Sequence, residues 1–334
     1  MYRPPSEGGS NSLLVRFTRN CPWNRCAFCA MYKNRKFQIR NLDEIKADID
    51  AMAAIRDELL NLSQKKWIPS QGISQGINRR AAVEIINKHP ELNDHPGFVM
   101  LFNFLTSGAR TAFLQDGNTV IMKTDDLVAA LMYLRRTFPT IERVTTYARS
   151  KTIAKKKLSE LEAIRAAGLD RLHVGLETGD DELLAKIAKG VTGQEHIKAG
   201  RKAVEAGFQL SEYWMPGLGG KALWENHARH TADVLNAINP HYIRSRPFRP
   251  IPSTPMHHEF QAGSLHLLAP EGQLRELKLT IENLDVTSRV CFDHAGNDWR
   301  DNRGQLLFSH NYEGYQFPGE KTKVLALIEK GLRA

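Results

Sequence analysis

Cysteine is scarce in this chain, with four among 334 residues, and three of the four fall in one loop, Cys21-Pro22-Trp23-Asn24-Arg25-Cys26-Ala27-Phe28-Cys29. So few thiols exclude a disulfide framework, and the clustered three point to metal or redox chemistry instead. Long apolar runs are missing as well. No stretch approaches the roughly 18–20 residues of a membrane span, and residues 1–12 lack the apolar core of a signal peptide. The expectation is a cytoplasmic protein that does not enter a membrane. A surplus of acid is also absent: 46 Lys and Arg against 37 Asp and Glu give a net charge of +9. That balance fits an anionic small substrate, a nucleic-acid partner, which it does not exclude, or solubility alone, because the basic residues are spread along the chain. Lys155-Lys156-Lys157 reads as the solvated start of a helix. With 42% hydrophobic and 25% charged residues, the chain has the composition of a globular protein with one large domain or two moderate ones.

The apolar run Leu13-Leu14-Val15-Arg16-Phe17 leads into the cysteine loop. Asn41-Leu42-Asp43-Glu44 then has the form of a capping box, with Ile45, Ile49 and Met52 following at helical spacing. Residues from about 56 to 111 show no clear alternation, read as helical or irregular, and contain turn formers at Pro69-Ser70, Gln71-Gly72 and His95-Pro96-Gly97, which suggests an insertion, with a cap as its candidate use. From Ala112 strand and helix alternate. Ala112–Leu114, Arg143–Tyr147, Leu172–Leu176, Gln209–Met215 and Tyr242–Arg246 read as strands, and the helices between them close at Gly168, Gly190 and Gly207 or stop before Pro240. Counting the first unit, strand and helix alternate six times. This pattern predicts an α/β fold with a parallel sheet, open or closed into a barrel, with its sites at the carboxyl ends of the strands. The cysteine loop, Asp116-Gly117-Asn118, Glu177 and Met215-Pro216-Gly217 all fall at such ends.

Three thiolates can hold one metal centre and leave part of it open, which distinguishes a reactive site from a structural one. Spacing alone leaves two readings of C-x4-C-x2-C: an iron–sulfur site, or zinc held by Cys21, Cys26, Cys29 and one of 12 histidines in a zinc-stabilised binding protein.

The strand-end loop with three cysteines, followed by repeated strand–helix units with glycines at the strand ends, resembles the radical S-adenosylmethionine (radical SAM) superfamily over residues 12 to about 256. Phe28 occupies the aromatic position before the last cysteine, while the first gap is one residue longer than the usual C-x3-C-x2-C, so the loop must bulge. The resemblance is closest to the branch containing methylthiotransferases and oxygen-independent coproporphyrinogen oxidases. It implies a partial (β/α)6 TIM-like barrel over 1–256, with the insertion at about 56–111 and a C-terminal cap over 257–334. It also implies a [4Fe–4S] cluster on Cys21, Cys26 and Cys29 and an S-adenosylmethionine groove lined by Phe28, Asp116, Gly117, Asn118, Glu177, Lys189, Met215, Pro216 and Gly217. Of the family's Gly-Gly-Glu stretch only the middle glycine, Gly117, is kept. Lys189, twelve residues after Glu177, stands where a cation pairs with the cofactor carboxylate; it also reads as a helix-end cation beside Gly190. The activity implied is reductive cleavage of S-adenosylmethionine to a 5′-deoxyadenosyl radical, with an electron from a partner such as flavodoxin or ferredoxin. A tRNA- or cofactor-modifying transferase of the same superfamily is the alternative.

Substrate residues are read from chemistry alone. Arg244 and Arg246, two apart on one strand, and Arg249 beyond it suggest an anionic small-molecule substrate. Cys291 and His294 are candidate catalytic residues, Cys291 as a hydrogen-atom donor or substrate ligand, against the plainer reading of both as buried structural groups. One cysteine outside the loop is too few for a second cysteine-ligated cluster. With barely 20 residues before Cys21, no cobalamin domain is expected at that end, and the tail suggests no strand-rich RNA-binding module.

Overall fold

The computed structural model describes residues 11–65 and 76–334. The turns expected at Pro69-Ser70 and Gln71-Gly72 lie outside them. The described residues form two compact units: residues 11–19, 38–65, 76–147 and 163–171 in the first, and 20–37, 148–162 and 172–334 in the second.

In the first unit, the apolar run becomes β1 (Leu13–Val15), wholly buried, and pairs in parallel with β2 (Thr111–Leu114), Leu13 opposite Ala112 and Val15 opposite Leu114. β2 pairs in parallel with β3 (Arg143–Ala148), Ala112 opposite Val144. The 24-residue helix Leu42–Lys65 follows its predicted capping box: Asn41 Oδ1 accepts from the Glu44 amide at 2.8 Å, and Glu44 accepts from the Asn41 amide at 3.3 Å. Position 56, where an insertion was expected to begin, lies inside this helix. No breaker interrupts it, and Leu59 and Leu62 prolong the buried stripe begun by Ile45 and Ile49. Two further helices, Arg79–Lys88 and Pro96–Thr106, precede β2, the first capped by Asn78. Helix Thr124–Thr137 buries Leu127, Leu131 and Leu134, the face its sequence spacing gives.

The second unit carries β4 (Arg171–Glu177), most of which lies in it, β5 (Gln209–Trp214), β6 (Tyr242–Ser245), β7 (Arg289–Cys291) and β8 (Tyr315–Gln316), adjacent in that order. Pairing is parallel from β5 to β7, with Tyr213 opposite Arg244 and Arg244 opposite Cys291; β8 runs antiparallel to β7. Residues two apart on a strand share a face, so Ser211, Tyr213, Tyr242, Arg244 and Cys291 line one side of this sheet. β7 and β8 are absent from the sequence-based reading, which ends the strand series at Arg246. At three and two residues they are too short for alternation to register. Helix Gly193–Glu205 opens with the predicted capping box, Thr192 with Glu195, and helices Gly220–Ile238, Pro270–Asn283 and Lys321–Leu332 pack in sequence beside it. No described helix is long and apolar enough to cross a membrane.

Candidate cofactor and substrate site

The cysteine loop is fastened to the second unit at its middle. Ala27 is buried in an apolar cluster with Leu183, Ile187, Met215, Leu218, Phe248, Met256 and Leu265, and Phe28 packs against the same cluster. The Ala27 amide donates to the Ile187 carbonyl at 2.8 Å, and the Ala27 carbonyl accepts from the Met256 amide at 3.2 Å. With both backbone groups of Ala27 satisfied, the flanking Cys26 and Cys29 are left half-buried, as is Cys21, and all three are free thiols.

The longer first gap is taken up by Trp23 and Asn24. Asn24 has φ +50°, the left-handed conformation Asn tolerates best after Gly, and its side-chain amide donates to the Tyr32 carbonyl. Trp23 packs on the turn at 188–190. Its indole N–H donates to the Ala188 carbonyl at 2.7 Å, and the guanidinium carbons of Arg149 and Arg25 lie 4.8 and 5.1 Å from its ring centroid. Gly190 is what lets the ring in: a β-carbon there would stand 2.3 Å from the Trp23 ring, and the residue has φ +74°.

The turn that receives Trp23 also carries Lys189. Its Nζ is 2.7 Å from Glu177 Oε1, with both side chains about seven-eighths buried, and 5.9 Å from the centre of the Phe28 ring. Glu177 ends β4 with φ +64°, and its carbonyl accepts from the Met215 amide at 2.9 Å. Gly175, two residues back on the same face, makes room for this pair: a β-carbon there would lie 2.1 Å from Glu177 Oε1 and 2.9 Å from Lys189 Nζ. Burial works against the Lys189 charge, but Glu177 and Cys26 together outweigh it and raise the lysine above its ordinary range. Burial pushes the Cys26 thiol up, while Lys189 and Arg149 pull the other way. Arg149 donates to the Lys189 carbonyl at 3.0 Å and feels both Cys21 and Cys26, so two cations attend the thiols.

Arg149 and Glu212 are members of this neighbourhood that the sequence-based reading missed. Glu212, on β5, is 1% exposed, and its Oε2 is buried without a partner. Burial lifts its carboxyl well above the usual range against the pull of Lys189. A carboxylate in an otherwise apolar strand, Leu210-Ser211-Glu212-Tyr213-Trp214, and a cation one residue past β3 were the available signals.

Of the other predicted groove residues, Met215, Pro216 and Gly217 are buried at the end of β5. Asp116, Gly117 and Asn118 belong to the first unit. Asp116 has φ +73° and pairs with Arg16 at 3.3 Å, and Asn118 is fully buried. Arg244 is buried too: Nη1 meets Asp293 at 2.9 Å, Nε donates to Ser211 at 3.1 Å, and the guanidinium lies 4.2 Å from the Tyr312 ring centroid. Cys291, opposite Arg244 on β7, is fully buried, which pushes its thiol up to about 12. Arg246 is half-buried just beyond β6, and Arg249 is exposed and paired with Asp298 at 2.8 Å. His294 is held down to about 4 by burial, Arg246, Arg249 and His310, so it is neutral at pH 7.

Among the described residues no three His, Cys, Asp or Glu side chains are gathered into a ready-made metal site. The donor set nevertheless fits a thiolate-ligated iron–sulfur group. Three free, half-buried cysteines share one anchored loop, with Lys189 and Arg149 beside them to offset the negative charge of thiolates. Around the Lys189–Glu177 pair, the unpartnered Glu212 oxygen and the cations offer groups for a polar cofactor with both amino and carboxylate ends.

A parallel α/β fold carrying a strand-end loop of three thiols has the donors an iron–sulfur site requires. Residues 104–227 match the family model of the Radical SAM superfamily, whose enzymes bind a [4Fe–4S] cluster and S-adenosylmethionine. The cysteine loop precedes the matched segment. Heme chaperone HemW of Bacillus subtilis (strain 168) is 22% identical over 178 residues, covering 53% of this chain and 46% of HemW. The chain thus spans less than half the length of that relative. Among solved structures, coproporphyrinogen III oxidase HemN of Escherichia coli has 16% identity and a TM-score of 0.47, with 81% of this chain and 51% of HemN covered. Methylornithine synthase PylB has 13% identity and a TM-score of 0.47, with 96% and 69% covered.

Proposed function

We propose that this chain binds a [4Fe–4S] cluster through Cys21, Cys26 and Cys29 and cleaves S-adenosylmethionine reductively, using the resulting radical on an anionic small molecule. The observation that carries this reading is the placement of three free thiols on a loop anchored beside Arg149 and the buried Lys189–Glu177 pair. When bound, cluster and cofactor together supply a strong one-electron reductant and a carbon radical able to remove a hydrogen atom. The chain's own residues bind and orient. Lys189 holds the cofactor carboxylate while keeping Glu177 as its second partner, Glu177 and Glu212 accept from amino or hydroxyl groups, and Phe28 with the apolar cluster around Ala27 excludes water. The Met215–Gly217 turn lines the same groove. The electron comes from a reducing partner of the flavodoxin or ferredoxin kind.

The substrate end is placed at the carboxyl ends of β6 and β7. Burial together with Arg246, Arg249 and His310 depresses His294, and Arg246 and Arg249, the latter paired with Asp298, offer cations for an anion at this end. Arg244, compensated by Asp293, serves the interior of that end, and Cys291 beside it remains the candidate hydrogen-atom donor. Arg246→Ala is expected to raise the KM for substrate or abolish turnover, while cleavage of S-adenosylmethionine without substrate stays measurable. Loss of both would place Arg246 at the cofactor, and full turnover would return it to the surface.

A further inference from the structure

We propose that Glu276 is a positioning residue for the Met215–Gly217 turn, fixing the Gly217 amide from a separate helix while His227 ties the same turn to the end of β4. The inference rests on the reading above, in which that turn and Glu177 border the cofactor.

Glu276 sits on helix Pro270–Asn283 and is 1% exposed. Its Oε1 accepts from the Gly217 amide at 2.7 Å, and its Oε2 is buried without a partner. An acidic side chain is an expensive occupant for such a place, since an apolar residue would pack there at no desolvation cost. What it provides is an acceptor for an N–H that β5 no longer satisfies. Gly217 has φ +84°, so the turn depends on a backbone conformation other residues resist, and an unfixed amide would leave it free to shift.

His227, fully buried on helix Gly220–Ile238, completes the bracket. Its Nε2–H points to the Met215 carbonyl at 3.1 Å and lies 3.5 Å from Glu276 Oε1, which leaves Nδ1 to accept from the Thr178 hydroxyl at 2.7 Å. Thr178 follows Glu177 directly. The Gly179 amide in turn donates to Thr231, one turn beyond His227, at 3.0 Å. A chain of hydrogen bonds therefore runs from the end of β4 through one helix to the end of β5 and on to a second helix. Burial favours the neutral form of both ionisable members at pH 7, lowering His227 to about 4 and raising Glu276 to about 8. A neutral carboxyl has the shape and acceptor of a glutamine amide, which supplies the test.

Glu276→Gln keeps the acceptor for Gly217, and Glu276→Leu removes it. In purified apoprotein, hydrogen exchange of the 215–219 segment is expected to rise at least tenfold in Glu276→Leu and to stay within twofold of the parent in Glu276→Gln. In anaerobically reconstituted protein, equilibrium dialysis with S-adenosylmethionine is expected to show at least tenfold weaker binding for Glu276→Leu at unchanged iron content, with Glu276→Gln restoring affinity. Equal exchange in all three proteins, unchanged affinity in Glu276→Leu, or a Gln variant as impaired as the Leu variant would each overturn the proposal. Should Glu276→Leu fail to fold, His227→Gln, which breaks the Met215 and Thr178 links, is expected to raise exchange in the same segment, and no rise there would overturn it. Failure of the parent protein to bind S-adenosylmethionine at all would instead refute the functional reading, leaving the exchange result to stand alone.

Discussion

Replacing any one of Cys21, Cys26 or Cys29 with Ala is expected to abolish retention of a [4Fe–4S] cluster after anaerobic reconstitution, while Cys291→Ala retains parental iron. The difference follows from location. The three loop cysteines are free and half-buried with cations alongside, whereas Cys291 is fully buried opposite Arg244, with a thiol pushed up to about 12. A lone thiol outside the loop has no neighbouring cysteines with which to share a cluster. Iron and acid-labile sulfide content, with electron paramagnetic resonance of the reduced protein, read the result. A loop variant with parental iron would remove that cysteine from the ligand set.

The second large effect is expected at the Lys189–Glu177 pair. Lys189→Met leaves a buried carboxylate without its partner, and removing one member of such a pair costs about 3–5 kcal/mol. Urea unfolding of the apoprotein reads this cost. Adding Glu177→Gln to Lys189→Met is expected to recover most of it, because no uncompensated charge then remains buried. In reconstituted protein, both Lys189→Met variants are expected to bind S-adenosylmethionine more weakly by roughly 1–3 kcal/mol, the value of a charge-assisted hydrogen bond to the cofactor carboxylate. Recovery of stability without recovery of binding would separate the structural use of Lys189 from its cofactor use. Recovery of both would reduce it to a structural cation.

What could be read from the sequence were groups whose spacing is itself the signal. The two capping boxes and the repeated strands are local patterns, and each stands where the pattern puts it. Groups that act across the fold were not legible. Glu276 occupies a helix position beside Leu274 and Leu277 where a glutamate reads as a solvated residue; only the approach of Gly217, 59 residues away, gives it a task. Arg149 looks like any cation after a strand until Trp23 lies against it. Arg244 and Arg246 have the two-residue spacing of one strand face, but β6 stops at Ser245. Asp293, supplied by the chain after the unforeseen β7, neutralises Arg244 inside the unit and leaves Arg246 the less buried of the two. The glycine pattern hid a similar distinction. Gly175 and Gly190 are small because Glu177, Lys189 and Trp23 fill the space a side chain would take, a reason visible only in three dimensions.

The most direct measurement is product formation from S-adenosylmethionine by the reconstituted, dithionite-reduced protein under anaerobic conditions. Formation of 5′-deoxyadenosine and methionine in equal amounts, lost in the Cys26→Ala variant, is the expected result. A colourless protein that holds zinc through the same loop and leaves S-adenosylmethionine intact would contradict it.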